Sequence, residues 1–112
     1  MKVEVEHSYF EPNGCRIHYV HRGEGKPILF MHGFPQFWFL WRHQLESLGD
    51  DHAVYAPDMR GYNLSDKPAG VDNYDMKLLV ADVLAVIKAC GKEKAVVIGH
   101  DWGGAIAWSV AM

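Results

Sequence analysis

Apolar and polar residues alternate along the beginning of the chain, which is the pattern of strands that bury one face. Residues 3 to 11 and 15 to 22 are separated by Asn13-Gly14, a dipeptide that favours the left-handed backbone of a tight turn. We therefore predict an antiparallel hairpin. A glycine-rich turn then leads to a continuous apolar run, Pro27 to Met31, which is typical of a strand buried on both faces.

After this strand, the spacing of the bulky apolar residues changes to that of amphipathic helices. The first predicted helix extends from Gln36 to Leu48, and Gly49 occupies the position of its C-terminal cap. The second predicted helix begins at a cap provided by Asp72 or Asn73 and ends before Gly91.

Two further apolar strands, His52 to Ala56 and Ala95 to Ile98, and a helix from Gly103 to Met112 complete the predicted order. Strands that alternate with helices predict a parallel sheet with helices on both faces, because parallel neighbours need a crossover. The whole chain, residues 1–112, is predicted to belong to one domain. A dinucleotide-binding fold would need G-x-G-x-x-G after the first parallel strand, where this chain has His32-Gly33-Phe34-Pro35.

The segment from Val97 to Gly104 is predicted to run from a buried strand through a turn into a helix, with the pattern small-x-Asp-x-small-small. A sharp turn of this kind holds its central residue in a strained conformation with the side chain above the sheet. Asp101 therefore occupies the place of a nucleophile, and Gly99, Gly103 and Gly104 leave room for the turn. The alternative interpretation is that Asp101 only caps the following helix.

A second motif, His32-Gly33-Phe34-Pro35, follows the first parallel strand. In hydrolases with such a strand-to-helix turn, a loop at this position supplies one backbone N–H group of the oxyanion hole, and the residue after the nucleophile supplies the other. The predicted donors are therefore Phe34 and Trp102. We expect His32 to support the loop rather than to act as a base, and His100 to be a hydrogen-bonded structural residue.

Three segments, H-G-F-P, D-M-R-G-Y-N-L-S-D-K-P and G-H-D-W-G-G, occur in this order and together resemble the soluble epoxide hydrolases of the α/β-hydrolase superfamily. The resemblance extends from about Tyr19 to the end of the chain. It implies the N-terminal part of an α/β-hydrolase fold, with Asp101 as nucleophile, oxyanion donors at Phe34 and Trp102, and a cis peptide bond before Pro35. Phe34, Pro35 and Trp102 are also expected to contact the substrate.

The second of these segments departs from the family pattern at Asn63, where relatives usually carry a glycine. Asparagine tolerates left-handed backbone geometry, so we expect the turn to be preserved. Arg60 in the same segment is expected to anchor the loop electrostatically. The alternative for Arg60 is a surface salt bridge without functional weight.

An aspartate nucleophile restricts the kinds of substrate that can react. A carboxylate with an ordinary pKa of about 3.9 is ionised at neutral pH and needs no base before it attacks. Attack on a saturated carbon of an epoxide or an alkyl halide yields an alkyl ester, which a water activated by a histidine can hydrolyse. The resemblance implies conversion of an epoxide to a vicinal diol, with tyrosines from a lid beyond this region protonating the epoxide oxygen.

Two kinds of dehalogenase with the same nucleophile are the alternatives. Haloalkane dehalogenases generally hold the halide between the tryptophan after the nucleophile and an asparagine in the H-G-N-P position, where this chain has Phe34. Fluoroacetate dehalogenases, which act on a haloacid, carry an arginine after the nucleophile, where this chain has Trp102. Phe34 and Trp102 are both apolar, so they favour a small, uncharged epoxide as the substrate, with water as the second reactant.

The acid and histidine of a catalytic triad are expected to follow the nucleophile in chain order, but Trp102 to Met112 contain no His, Asp or Glu. We therefore expect the chain to be an N-terminal portion that ends just after the nucleophile turn, with the lid and the C-terminal part absent. A second function class is then a non-catalytic, interaction-prone half-domain. An exposed edge at Ala95 to Ile98 predicts self-association or pairing with the missing C-terminal part.

The composition of the chain limits its possible partners and its cellular location. Eleven basic and 14 acidic residues give a net charge of -3, which argues against nucleic acid as a partner. Cys15 and Cys90 are too few for a disulfide framework, and neither a signal peptide nor a membrane span is predicted, so we expect a cytoplasmic protein. His18 and His21 should point to opposite faces of a strand, so no metal site is expected. No cofactor is expected either.

Overall fold

The computed structural model of the chain describes residues 5–11, 14–91 and 94–111. These residues form one mixed sheet of five strands in the order β1-β2-β4-β3-β5, flanked by helices. The strands are β1 (Glu6–Phe10), β2 (Ile17–Arg22), β3 (Pro27–Met31), β4 (Ala53–Pro57) and β5 (Val96–Gly99). The helices are α1 (Arg42–Leu48), α2 (Met76–Ala89) and α3 (Trp102–Ala111), and short 3-10 helices occupy Trp38–Trp41 and Val71–Tyr74.

The sheet combines the predicted hairpin with the predicted parallel strands. β1 pairs with β2 in antiparallel orientation, and β3 lies parallel to both β4 and β5. The strand β2 joins the two parts through an antiparallel pairing with β4. In the predicted hairpin turn, Gly14 has a φ of 78°, whereas Asn13 lies outside the described residues.

The central strand β3 divides the core into two clusters, because successive side chains of a strand point to opposite faces. Ile28 and Phe30 pack on one face, which helix α1 covers through Leu45. Leu29 and Met31 pack on the other face, which helices α2 and α3 cover. Burial on both faces confirms the interpretation of this apolar run as an interior parallel strand.

The glycine at position 49 is required for a reason other than the predicted helix cap. Gly49 has an ordinary right-handed φ of -67°, so no left-handed cap is formed. A side chain at this position would instead collide with the guanidinium of Arg22 and the carbonyl of Leu45. Arg22 reaches over the glycine to the carbonyl oxygen of Glu46 at 2.8 Å and to the carboxylate of Asp50 at 2.6 Å.

The predicted start of the second helix is wrong by a few residues. The helix α2 begins at Met76 with Asp75 in the N-cap position, and no side chain makes a capping hydrogen bond there. The amide of Asn73 donates instead to the carbonyl of Ala69, within the turn that precedes the helix. The predicted end is confirmed, because Gly91 has a left-handed φ of 75°. Among the described residues, no helix has the length and apolar character needed to cross a membrane.

Candidate active site

Asp101 lies in the turn between the end of β5 and the start of α3, at the edge of the sheet where the parallel strands end. Its φ of 58° is in the left-handed region, which is strained for a residue with a side chain. The side chain is exposed, and its Oδ2 accepts a hydrogen bond from the backbone N–H of Phe34 at 3.3 Å. The backbone carbonyl of Asp101 receives the N–H of Gly104 at 2.9 Å. These contacts disfavour the capping interpretation, in which the carboxylate would bind the helix N–H groups.

Glycines make this turn possible by letting backbones approach closely. A Cβ atom at Gly99 would lie 2.7 Å from the Cα atom of Gly104, and one at Gly103 would lie 2.6 Å from the carbonyl carbon of Met31. A Cβ atom at Gly104 would have ordinary contacts, the nearest at 3.7 Å to the carbonyl oxygen of Gly99. The absence of a side chain is therefore required at Gly99 and Gly103, whereas Gly104 has room for one.

The H-G-F-P loop, which we define as residues 32–37, lies beside Asp101. A Cβ atom at Gly33 would be 2.5 Å from the Asp101 Cβ and 2.7 Å from its Oδ2. The peptide bond between Phe34 and Pro35 is cis, as the resemblance implied. Phe34 is 70% exposed and Trp102 is 45% exposed, so both present apolar surface close to the carboxylate. The role of their N–H groups as oxyanion donors stays a prediction.

His32 is buried at the start of this loop and holds it to the neighbouring segment. Its Nδ1–H donates to the carbonyl oxygen of Gly33 at 3.0 Å, and its Nε2 accepts the backbone N–H of Met59 at 2.9 Å. Burial lowers the pKa of His32, against the opposing effects of the Gly33 carbonyl and the Asp58 carboxylate. A neutral imidazole satisfies both contacts, which supports a structural role rather than that of a base.

Asp58 is a buried carboxylate that the sequence analysis did not single out. Its Oδ2 accepts hydrogen bonds from His18 Nδ1 at 2.7 Å and from Asn63 Nδ2 at 2.9 Å. Its Oδ1 accepts the backbone N–H of Trp38 at 2.9 Å. The available signal was its position, because Asp58 follows β4 directly at the edge of the sheet where Asp101 lies.

The segment after Asp58 forms a turn that matches the expectations for its unusual residues. Asn63 has a φ of 43°, so it accepts the left-handed geometry predicted for it. Arg60 is buried and makes two hydrogen bonds to Asp82, Nε to Oδ2 at 2.6 Å and Nη2 to Oδ1 at 2.8 Å. A third bond joins its Nη1 to the carbonyl oxygen of Asn73 at 2.9 Å. Arg60 is thus an internal anchor of this loop, and the alternative of a surface salt bridge is wrong.

Tyr62 and His100 lie close to Asp101. Tyr62 packs edge-on against the His32 ring with centroids 4.8 Å apart. Burial, followed by the negative charge of Asp101, raises the pKa of the Tyr62 hydroxyl. His100 Nδ1 lies 3.4 Å from the Gln36 side-chain oxygen, so the histidine before Asp101 faces the H-G-F-P loop.

The histidines do not form a metal cluster within the described ranges, which contain no group of three or more His, Cys, Asp or Glu side chains placed to hold an ion. His18 is fully buried against Asp58, whereas His21 lies on the other face of β2 and contacts the Ser8 hydroxyl at 2.9 Å. The opposite orientations of these two histidines agree with the strand geometry expected for them.

The model of the alpha/beta hydrolase fold family matches residues 26–112. The chain therefore belongs to the α/β-hydrolase fold family. It is 49% identical over 105 residues to Epoxide hydrolase 1 of Caenorhabditis elegans, a match that covers 92% of this chain and 26% of the relative. It is 40% identical to the Soluble epoxide hydrolase of Corynebacterium sp. (strain C12), over 99% of this chain and 38% of the relative.

Solved structures give the same relationship. The crystal structure of epoxide hydrolase VrEH1 from Vigna radiata matches with a TM-score of 0.93 at 38% identity and covers 96% of this chain and 35% of that one. An epoxide hydrolase from an endophytic Streptomyces matches with a TM-score of 0.92 at 46% identity, over 96% of this chain and 33% of that one. The chain thus spans between a quarter and two fifths of the length of these relatives.

Proposed function

We propose that this chain is the nucleophile-bearing part of an epoxide hydrolase, in which Asp101 forms a covalent ester with the substrate. The observation that carries the proposal is the geometry of Asp101, whose exposed carboxylate stands at a left-handed φ of 58° and meets the Phe34 N–H at 3.3 Å. The similarity to proteins named epoxide hydrolases supports the same reaction class.

In the first half-reaction, a carboxylate oxygen of Asp101 attacks a carbon of the epoxide ring. A carbon–oxygen bond forms as the ring carbon–oxygen bond breaks, and the released alkoxide takes up a proton to become a hydroxyl group. The product is a hydroxyalkyl ester of Asp101. A carboxylate attacks without prior removal of a proton, so this step requires no base. The Phe34 N–H orients the carboxylate by binding its Oδ2.

In the second half-reaction, water attacks the carbonyl carbon of the ester. The bond between this carbon and the alkyl oxygen breaks, the diol leaves with the alkyl oxygen, and Asp101 keeps one oxygen of the water. Negative charge develops on the carbonyl oxygen during the attack, and the N–H groups of Phe34 and Trp102 are the proposed donors to it. One such donor typically contributes about 3 kcal/mol. The general base and the acid that orients it are proposed to lie outside this chain.

The substrate is proposed to be a small, apolar epoxide rather than a halide or a haloacid. Phe34 and Trp102 offer exposed aromatic surface and no side-chain charge beside the nucleophile. A carboxylate-bearing haloacid would lack a cationic partner at these two positions. A haloalkane would lack the polar side chain at position 34 that would share the halide with a tryptophan.

The proposal is tested by trapping the ester on the 112-residue chain itself. A reactive aryl epoxide should add its full mass to the peptide that contains Asp101, because ring opening loses no atoms. The Asp101→Asn variant is the matched control, since it keeps the shape of the side chain and removes the nucleophile. Faster labelling by a primary alkyl bromide or by fluoroacetate would favour a dehalogenase, and labelling of cysteines or histidines with Asp101 unmodified would refute the proposal.

A further inference from the structure

Both ends of the H-G-F-P loop are attached to one short segment of the neighbouring loop, Asp58-Met59. At the start of the loop, His32 Nε2 accepts the Met59 N–H at 2.9 Å. Directly after its end, the Trp38 N–H donates to Asp58 Oδ1 at 2.9 Å. The residues between these two attachments include Phe34, whose N–H meets Asp101.

The second attachment is made by a charged group rather than by a backbone carbonyl. The Asp58 side chain has no exposed surface, and its carboxylate receives the Trp38 N–H together with hydrogen bonds from His18 and Asn63. A buried carboxylate is stable only while such donors surround it, and charge-assisted bonds are stronger than neutral ones. Any displacement of the Trp38 N–H would leave Oδ1 without its donor, so this attachment resists movement of the loop.

The backbone of Asp58 is itself fixed to strand β2. Its N–H donates to the His18 carbonyl oxygen at 2.8 Å, and its own carbonyl oxygen accepts the Ser65 hydroxyl at 2.6 Å. A further hydrogen bond joins His18 Nε2 to Nδ1 of His7 on β1 at 2.9 Å. The hairpin therefore holds the carboxylate through His18, whereas the loop is attached to it through Trp38.

We propose that Asp58 is a positioning residue for the nucleophile site, which sets the place of the Phe34 N–H relative to Asp101 by holding the Trp38 N–H. Its buried carboxylate has no access to substrate, so it acts through the loop and not on the reaction. The expected effect on the alkylation rate of Asp101 rests on the proposed function, whereas the expected effect on movement of the H-G-F-P loop does not.

The sharpest test removes the Trp38 N–H alone. Trp38 is the first residue of a 3-10 helix, and Phe37 before it is extended with a φ of -157° and a ψ of -175°. Proline suits a first helical position after an extended residue, so Trp38→Pro removes the donor with little backbone strain. Trp38→Ala is the matched control, because it removes the same indole ring and keeps the N–H group.

Two measurements compare these variants. Hydrogen exchange followed by mass spectrometry should show the backbone amides of Gly33, Phe34, Gln36 and Phe37 exchanging about tenfold faster or more in Trp38→Pro than in Trp38→Ala. Alkylation of Asp101 by an aryl epoxide should be slower in the proline variant by roughly 10- to 100-fold, since a displacement of about 1 Å can cost that much. Equal exchange in the two variants would overturn the proposal.

A second pair of variants tests the carboxylate directly. Asp58→Asn keeps a single acceptor oxygen, which the two donors from His18 and Asn63 should retain. Its NH2 group would then face the Trp38 N–H, so the variant should loosen the H-G-F-P loop. Asp82→Asn is the control. It removes the charge of the other buried carboxylate of the same region, which binds Arg60 and makes no hydrogen bond to the H-G-F-P loop. Faster loop exchange in Asp58→Asn than in Asp82→Asn supports the proposal, and equal or slower exchange contradicts it. If either variant fails to fold, the Trp38 pair decides the question.

The two readouts separate the two proposals. If the unmodified chain is not alkylated at Asp101, the proposed function fails, but hydrogen exchange still measures whether Asp58 holds the loop. If the unmodified chain is alkylated and the Trp38 pair shows equal exchange and equal alkylation rates, the proposed function stands and the positioning role of Asp58 is refuted.

Discussion

Replacing Gly33 by alanine should separate the H-G-F-P loop from the side chain of Asp101. The added Cβ atom would lie 2.5 Å from the Asp101 Cβ, 2.7 Å from its Oδ2 and 2.8 Å from the His100 carbonyl oxygen. Non-bonded carbon atoms normally approach to about 3.5 Å, so the two segments must part by roughly 1 Å. The Phe34 N–H, already 3.3 Å from Oδ2, would then lose its hydrogen bond. We expect alkylation of Asp101 to slow by about 100-fold.

The assay is the rate of adduct formation with an aryl epoxide, followed by intact mass and normalised to the folded fraction. Overpacking should also lower the free energy of unfolding by about 1–3 kcal/mol, measured in urea. Gly104→Ala is the control from the same turn, because its Cβ atom would have ordinary contacts from 3.7 Å outward and alanine favours the helix. An alkylation rate in Gly33→Ala equal to that of the control would refute the account of the loop.

Three further predictions concern stability and association. Because burial lowers the pKa of His32 in the folded chain, the unfolded chain binds more protons below about pH 6.5. The free energy of unfolding should therefore fall as the pH drops through that region, and urea titrations should show a smaller fall in His32→Gln. Arg60→Met should destabilise the fold by about 3–5 kcal/mol because it leaves the buried Asp82 unpaired, whereas adding Asp82→Leu should restore most of the loss; no recovery would contradict a buried ion pair. The chain should self-associate through the open edge of β5, and Ile98→Lys should increase the monomer fraction in light scattering.

The features that could be predicted from sequence are those set by a few adjacent residues. The strand Pro27–Met31 was predicted with the bounds that the structure gives, because a continuous apolar run between polar turns has one suitable environment. The left-handed φ values of Asp101 and Asn63 follow from small neighbours and from the tolerance of asparagine. The motif pair around Phe34 and Asp101 was placed together because, in hydrolases with such a strand-to-helix turn, the loop after the first parallel strand supplies a backbone N–H beside the central residue of the turn.

The features that could not be predicted depend on residues far apart in the chain. Asp58 meets His18 across 40 positions, and this contact requires the antiparallel pairing of β2 with β4, for which the hairpin pattern gives no signal. The cap of α2 was misplaced because Asn73 bonds to the carbonyl of Ala69 in a turn of its own. The sequence indicated that Gly49 ends the first helix, but the structure requires a glycine there because the side chain of Arg22, from strand β2, occupies the space of a Cβ atom.

In the proposed reaction, Asp101 forms an ester that water then hydrolyses at its carbonyl carbon. A single turnover in heavy-oxygen water tests this reaction, in a polypeptide that joins this chain to a lid, an acid and a histidine. Mass spectrometry of the Asp101 peptide and of the diol locates the label. We expect heavy oxygen in the Asp101 carboxylate and none in the first diol released. Label in that first diol, with Asp101 unlabelled, would show that water attacks the epoxide directly and would contradict the claim.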